Sequence, residues 1–185
     1  MDIQFWGATE EVTGSCMLVK TGKKTILLDC GLFQGTKTEE ARNANPFPFN
    51  VNSIDAVILS HAHIDHSGRL PMLVKAGFKG KIYTHHASKD LCNILLQDSA
   101  YLNERDVETE NKKRARKGLS LLEPLYSRTD AQKTMRRFKG LYYDEKYELY
   151  PEITFRLRDA GHILGSAIIE LWLHEAGRSK KITFS

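Results

Sequence analysis

The stretch SHAHIDHSG, residues 60–68, holds three of the chain's seven histidines, His61, His63 and His66, together with Asp65. It follows directly on the apolar run AVILS. Imidazole and carboxylate are suitable donors for Zn²⁺, and also for Mn²⁺ or iron. His61 and His63 are two residues apart. In an extended segment just past a strand they point the same way and could share one metal. Asp65 and His66 fall where the chain turns into a helix, so they could face a neighbouring metal. Two metals about 3.5–4 Å apart can share a hydroxide and stabilise an in-line phosphoryl displacement. A solvated polar loop is the alternative reading. The strand before the motif and the helix after it argue against that.

Other residues join this cluster less directly. His162 lies in DAGHILGSA (159–167), at the end of another strand, with glycines on both sides that allow tight turns. Alone it would read as structural; beside a His/Asp cluster it is a candidate third ligand. Asp29 ends the strand TILLD and could hold a ligand imidazole in place through a hydrogen bond, or simply cap the turn before Gly31. His85 and His86 end the strand KIYTHH and read as structural or supporting. His174 precedes a turn and reads as a surface residue. Cys30 reads as a small buried thiol.

The elements that must position these residues follow from periodicity. IQFWG (3–7), CMLVKT (16–21) and KTILLDCG (24–31) read as strands, with a hairpin turn at TGKK. The prolines of NANPFPFN (43–50) exclude a helix. SIDAVILS (53–60) reads as a buried strand, 67–77 as a short helix and 81–85 as a strand, which is βαβ spacing. Leu91, Ile94, Leu95 and Leu102 give a partial helical stripe over 87–103. NKKRARKG (111–118) is either the polar end of that helix or a loop. Residues 129–138 read as a second helix, capped by Thr129 or Asp130. Strands are expected again at 153–158, 166–173 and 180–185, with the turn EAGRS between the last two.

Composition bounds the rest. With 185 residues, 41% hydrophobic and 27% charged, the chain can form one domain with a real core. It has no 18-residue apolar run, so no membrane span is expected, and its start lacks the pattern of a secretory leader. The three cysteines, Cys16, Cys30 and Cys92, include no CxxC pair, which fits a reducing cytoplasm. The net charge of +4 is uneven: residues 104–140 carry 11 Lys/Arg against 6 Asp/Glu. That surplus could follow a phosphate backbone and flank the site, or be a solvated surface. The chain stops inside KKITFS with no turn or polar tail after it, so an incomplete protein is expected.

SHAHIDHSG resembles the defining motif of the metallo-β-lactamase superfamily. GATEEVTGSCMLV (7–19), LLDCGLFQG (27–35), IYTHHASKDL (82–91) and DAGHILGSA are similar to its β-CASP branch of RNA-processing nucleases. The resemblance implies an α/β fold in which residues 1–185 form the N-terminal part of a four-layer αββα domain. It implies His61, His63 and His162 at a first zinc and Asp65 and His66 at a second, with Asp29 as supporting carboxylate. Catalysis would then rest on Asp65, His66 and Asp29. RNA would be the partner, in the cytoplasm, with a homodimer formed through parts not present in this sequence. A bridging aspartate and an inserted β-CASP domain would lie beyond the last residue. Two other readings compete: a hydrolase of small thioesters or lactones, against which AGH rather than PGH at His162 argues, and a non-catalytic scaffold that binds RNA or a partner protein.

Overall fold

The computed structural model describes residues 1–184, so the last residue of the expected strand 180–185 lies outside it. Two sheets face each other. The larger has six strands in sequence order: β1 (Asp2–Phe5), β2 (Met17–Thr21), β3 (Lys24–Leu28), β4 (Ala56–Ile58), β5 (Lys81–His85) and β6 (Phe138–Leu141). β1, β2 and β3 are antiparallel, and β3 to β6 are parallel. The smaller sheet is antiparallel, in the order β10 (Arg178–Phe184), β9 (Ala167–Glu175), β8 (Ile153–Asp159), β7 (Lys146–Tyr150).

Alternation sorts the side chains into two cores. Ile26, Leu28, Ala56 and Ile58 point to the smaller sheet and meet Ile153, Phe155, Leu157, Ile169, Leu171 and Leu173. Leu27, Val57 and Leu59 point the other way, to the helices. The central strands are therefore apolar on both faces, as parallel strands between two layers require. The helical layer consists of α1 (Lys37–Ala41), α2 (Ile64–Ser67), α3 (Leu70–Lys75), α4 (His86–Arg116) and α5 (Arg128–Met135). Its buried contacts to the sheet include Leu70, Leu73, Cys92, Leu96, Ala100 and Ala131. Among the described residues the outer face of the smaller sheet carries no helix, so three layers are present: helices, sheet, sheet. Among the described residues no helix is long and apolar enough to cross a membrane.

Several expected bounds shift. The helix expected at 87–103 runs on through the charged stretch to Arg116, so NKKRARKG is its polar end. Lys112–Glu108 at 2.8 Å, an i, i+4 pair, supports that exposed turn. The helix expected at 129–138 stops at Met135 and is capped by Ser127, not Thr129 or Asp130. Asp130 is instead the N3 partner of that cap, in a reciprocal capping box. Past Met135, Arg136 and Arg137 form a turn, and Phe138 already begins strand β6, where Phe138 and Leu141 bury their side chains beside β5. The helix expected at 67–77 is α3, Leu70–Lys75, with Pro71 in its first turn, and a separate short helix, α2, ends at Ser67 before it. β7 and α1 have no counterpart in the sequence reading.

Phe155 is fully buried between the sheets, with the rings of Tyr83 and Tyr147 at 5.8 and 5.7 Å. Phe155→Ala would leave a cavity between two sheets that cannot close independently. We expect a loss of about 3–5 kcal/mol in urea unfolding with an unchanged slope. A loss under about 1 kcal/mol would show that the sheets do not share this core.

Candidate metal centre

The site forms at the carboxyl ends of parallel strands β3 and β4, where open α/β sheets place ligands. Asp29 follows β3 in a left-handed conformation, φ 56°, which aspartate tolerates better than most residues. This turn carries its carboxylate under the end of β4, fully buried. Oδ1 accepts the Ser60 backbone N–H at 2.8 Å. Oδ2 accepts the hydroxyls of Ser60 at 2.9 Å and Ser15 at 3.1 Å, and His66 Nδ1 at 2.6 Å. The turn after Asp29 packs directly on α2. A Cβ at Gly31 would lie 1.6 Å from the Asp65 carbonyl oxygen, so only glycine fits there.

The hydrogen bonds orient the ligand rings. Ser60 gives its one hydroxyl hydrogen to Asp29, so His61 Nδ1, 3.0 Å from Ser60 Oγ, acts as the donor. That leaves His61 Nε2 with a free lone pair. Likewise His66 donates from Nδ1 to Asp29 and keeps Nε2 free, 3.5 Å from Asp65 Oδ2.

His162 arrives from the smaller sheet, in the turn between β8 and β9. Its backbone N–H and that of Ile163 both donate to Ser166 Oγ at 3.2 Å. Ser88 Oγ donates to the Gly165 carbonyl at 2.7 Å, and Tyr143 donates to the Ser166 carbonyl at 2.8 Å. Gly165 has φ 81°, and a Cβ there would meet Ser88 N at 2.4 Å. The Ala167 N–H donates to the Ser60 carbonyl at 2.9 Å, tying the start of β9 to the residue before His61.

The result is a convergence of three imidazoles. His63 Nδ1 lies 3.1 Å from His61 Nε2 and 3.2 Å from His162 Nε2. Nitrogens bound tetrahedrally to zinc at 2.0–2.1 Å are about 3.3–3.4 Å apart, so this donor set fits a metal of that size. His61 is the buried member and His162 the exposed one. The ring of His66 is 4.0 Å from that of His61, so the Asp65–His66 pair adjoins the first cluster.

Charge states agree with this division. Burial, helped by the His66 charge, pushes the His61 imidazole down to about 4, so at neutral pH it is uncharged and able to bind a cation. Burial also opposes charge on His66, but the hydrogen bond and charge of Asp29, with Asp65 adding, raise it above the usual histidine range.

The other residues fall outside this cluster. His85 caps α4, accepting the Ala87 N–H at 3.2 Å, and stacks on Tyr143 at 4.0 Å. His86 tilts against Tyr142, and His174 is a surface partner of Ser179. Cys16, Cys30 and Cys92 are free and buried. The 111–118 part of the basic stretch lies away from the site. The Ser88 end of α4 is at the His162 turn, and Lys112 is about 36 Å further along a straight helix. Sequence reasoning missed Ser15, Ser60 and Ser166, the hydroxyls that align Asp29, His61 and the His162 turn. The one available signal was that Ser60 immediately precedes His61 at the strand end.

Asp29→Asn removes the charge and the acceptor that hold the His66 proton. In the metal-free protein, an NMR titration should then show His66 falling from above the ordinary value of about 6.5 to below it, because burial, the largest influence on this ring, is then opposed only by the Asp65 charge. A His66 titration unchanged by the substitution would mean that Asp29 does not control this ring.

Comparison with known proteins agrees with the geometry. A sequence profile described as the metallo-beta-lactamase superfamily matches residues 9–163. Ribonuclease TTHA0252 of Thermus thermophilus is 37% identical over 91% of this chain, and probable RNase MJ4 of Methanocaldococcus jannaschii 37% over 92%. Transcription termination factor FttA of Methanosarcina mazei is 36% identical over 88%. The chain spans only 34%, 36% and 23% of those three relatives. Among solved structures, the subclass B3 metallo-beta-lactamase MEM-A1 superposes with a TM-score of 0.54 at 16% identity, over 94% of this chain and 56% of that one. The metallo-beta-lactamase SMB-1 gives 0.55 at 18%, over 94% and 57%. The sheet-on-sheet fold is thus shared at low identity, and with the profile spanning most of its length the chain belongs to the metallo-beta-lactamase superfamily.

Proposed function

We propose that this chain is the metal-binding, N-terminal portion of an RNA nuclease of the β-CASP type. The observation that carries the reading is the convergence of His61, His63 and His162 beside Asp65 and His66. The relatives named as ribonucleases support the choice of RNA over other phosphodiesters. In this reading His61, His63 and His162 hold one zinc, Asp65 and His66 hold a second, and Asp29 positions His66. The same nitrogen and oxygen donors would accept Mn²⁺ or iron. A bound metal pair would lower the pKa of water toward neutrality and offset charge on the phosphate oxygens.

The chain's own residues do the rest. Ser60 and Asp29 fix the tautomers of His61 and His66, so each, when neutral, presents its Nε2 lone pair outward. His66 must give up its proton on binding a metal, so occupancy of that position should rise with pH. His162, exposed at the rim, sits where a substrate entering from solvent would arrive.

A purified full-length protein loaded with zinc should cleave labelled RNA. His66→Ala should cut the rate by on the order of 100-fold or more, since one metal position loses half its protein donors from this chain. Turnover of a thioester or lactone with no cleavage of RNA would favour the small-molecule hydrolase instead.

A further inference from the structure

Arg69 has no carboxylate partner among the described residues. It sits just before α3, three residues past His66, and is 4% exposed. Its Nε makes no hydrogen bond, and none of the ion pairs among the described residues includes it. The rings of Phe33 and Phe47 flank the guanidinium, with centroids at 5.2 and 4.7 Å. Aromatic faces steady a cation, but they do not accept the in-plane N–H groups of the guanidinium fork. The buried Cys30 thiol is the guanidinium's one polar neighbour among the described residues, and a buried cation with no charged partner is costly. Acceptors that the chain does not supply can come from a ligand.

Arg69 lines a cavity of about 260 Å³ together with Trp6, Phe33, Arg42 and Asn45. Arg42 is already engaged: both its Nη atoms bind the Glu11 carboxylate, at 2.6 and 3.0 Å, and it lies 3.8 Å from the Phe33 ring centroid. Arg69 is therefore the cation in this wall whose charge is not answered by a carboxylate. At the mouth, Trp6 is 36% exposed, with Phe49 6.2 Å away. The wall thus offers one free guanidinium inside and one flat indole at the rim.

We infer that this cavity binds a nucleotide, its phosphate on Arg69 and its base against Trp6. A guanidinium fork matches phosphate oxygens in pairs. Indole stacks on any base, because every base has a π-face. A simple carboxylate would answer Arg69 but leave the Trp6 rim unused. The inference does not depend on the metal-centre reading, since none of these residues is a candidate metal ligand.

The chain has two tryptophans, and Trp172 lies on the smaller sheet with the Lys146, Arg156 and Lys181 cations over its ring. Trp172→Phe therefore leaves Trp6 as the reporter without touching the cavity. Adenosine 5′-monophosphate should change the Trp6 emission saturably, and inorganic phosphate should displace it. Adenosine should bind at least tenfold more weakly. Arg69→Gln should weaken the monophosphate by about tenfold or more. Because a buried arginine can matter for folding, the exposed Trp6→Ala provides a second test by calorimetry. It should weaken the monophosphate by about tenfold and leave inorganic phosphate unchanged. The inference is overturned by no saturable response at millimolar monophosphate, by equal binding of adenosine, or by unchanged binding in a folded Arg69→Gln protein.

Discussion

A fully buried carboxylate must have its charge answered, and at Asp29 the answer organises the site. Its four donors come from three places in the chain: Ser15 just before β2, Ser60 just after β4, and His66 in α2. Each bond draws one element to the end of β3. Removing the carboxylate would orphan several donors in an apolar surround, and removing a donor would leave charge unpaired. Both are costly in a low-dielectric interior. The left-handed backbone at Asp29 and the glycine two residues later are part of the same constraint, since they let the turn reach inward while α2 packs against it.

The smaller sheet brings the last imidazole. The Ser60 carbonyl receives the first N–H of β9, so the residue that bonds Asp29 also anchors the His162 turn. Ser88 from α4 and Tyr143 from the segment between β6 and β7 close the turn from outside. Helical layer and both sheets thus meet at one edge. The packing of Phe155 and its neighbours between the sheets sets the distance from His61 to His162.

Much of this could be read from residue order. The His61–His66 motif is local; continuous apolar runs marked β3 and β4, and regular alternation marked β8 and β9. His162 is 99 residues from His63; its place at a glycine-flanked strand end made it a candidate, and the resemblance, not spacing, assigned it to the first metal. What escaped reading has physical causes. KYELY of β7 is half polar because it lies at a sheet edge, and FKGL of β6 is only four residues long. The polar end of α4 extends past the stripe that buries it, so periodicity gave out before the helix did. The serines that orient Asp29 and His61 look like any strand-end serine. Nothing in the residue order marks Arg69, and only its burial between Phe33 and Phe47 sets it apart.

Zinc-soaked crystals, with anomalous scattering recorded at the zinc edge, test the central claim most directly. The account predicts a peak about 2.0–2.1 Å from His61 Nε2, His63 Nδ1 and His162 Nε2, with Asp29 still bonded to His66. Under Asp29→Asn, metal affinity should fall about 10–100-fold, as for other partners of ligand histidines. A zinc peak elsewhere on the protein with none among these three nitrogens would contradict the account.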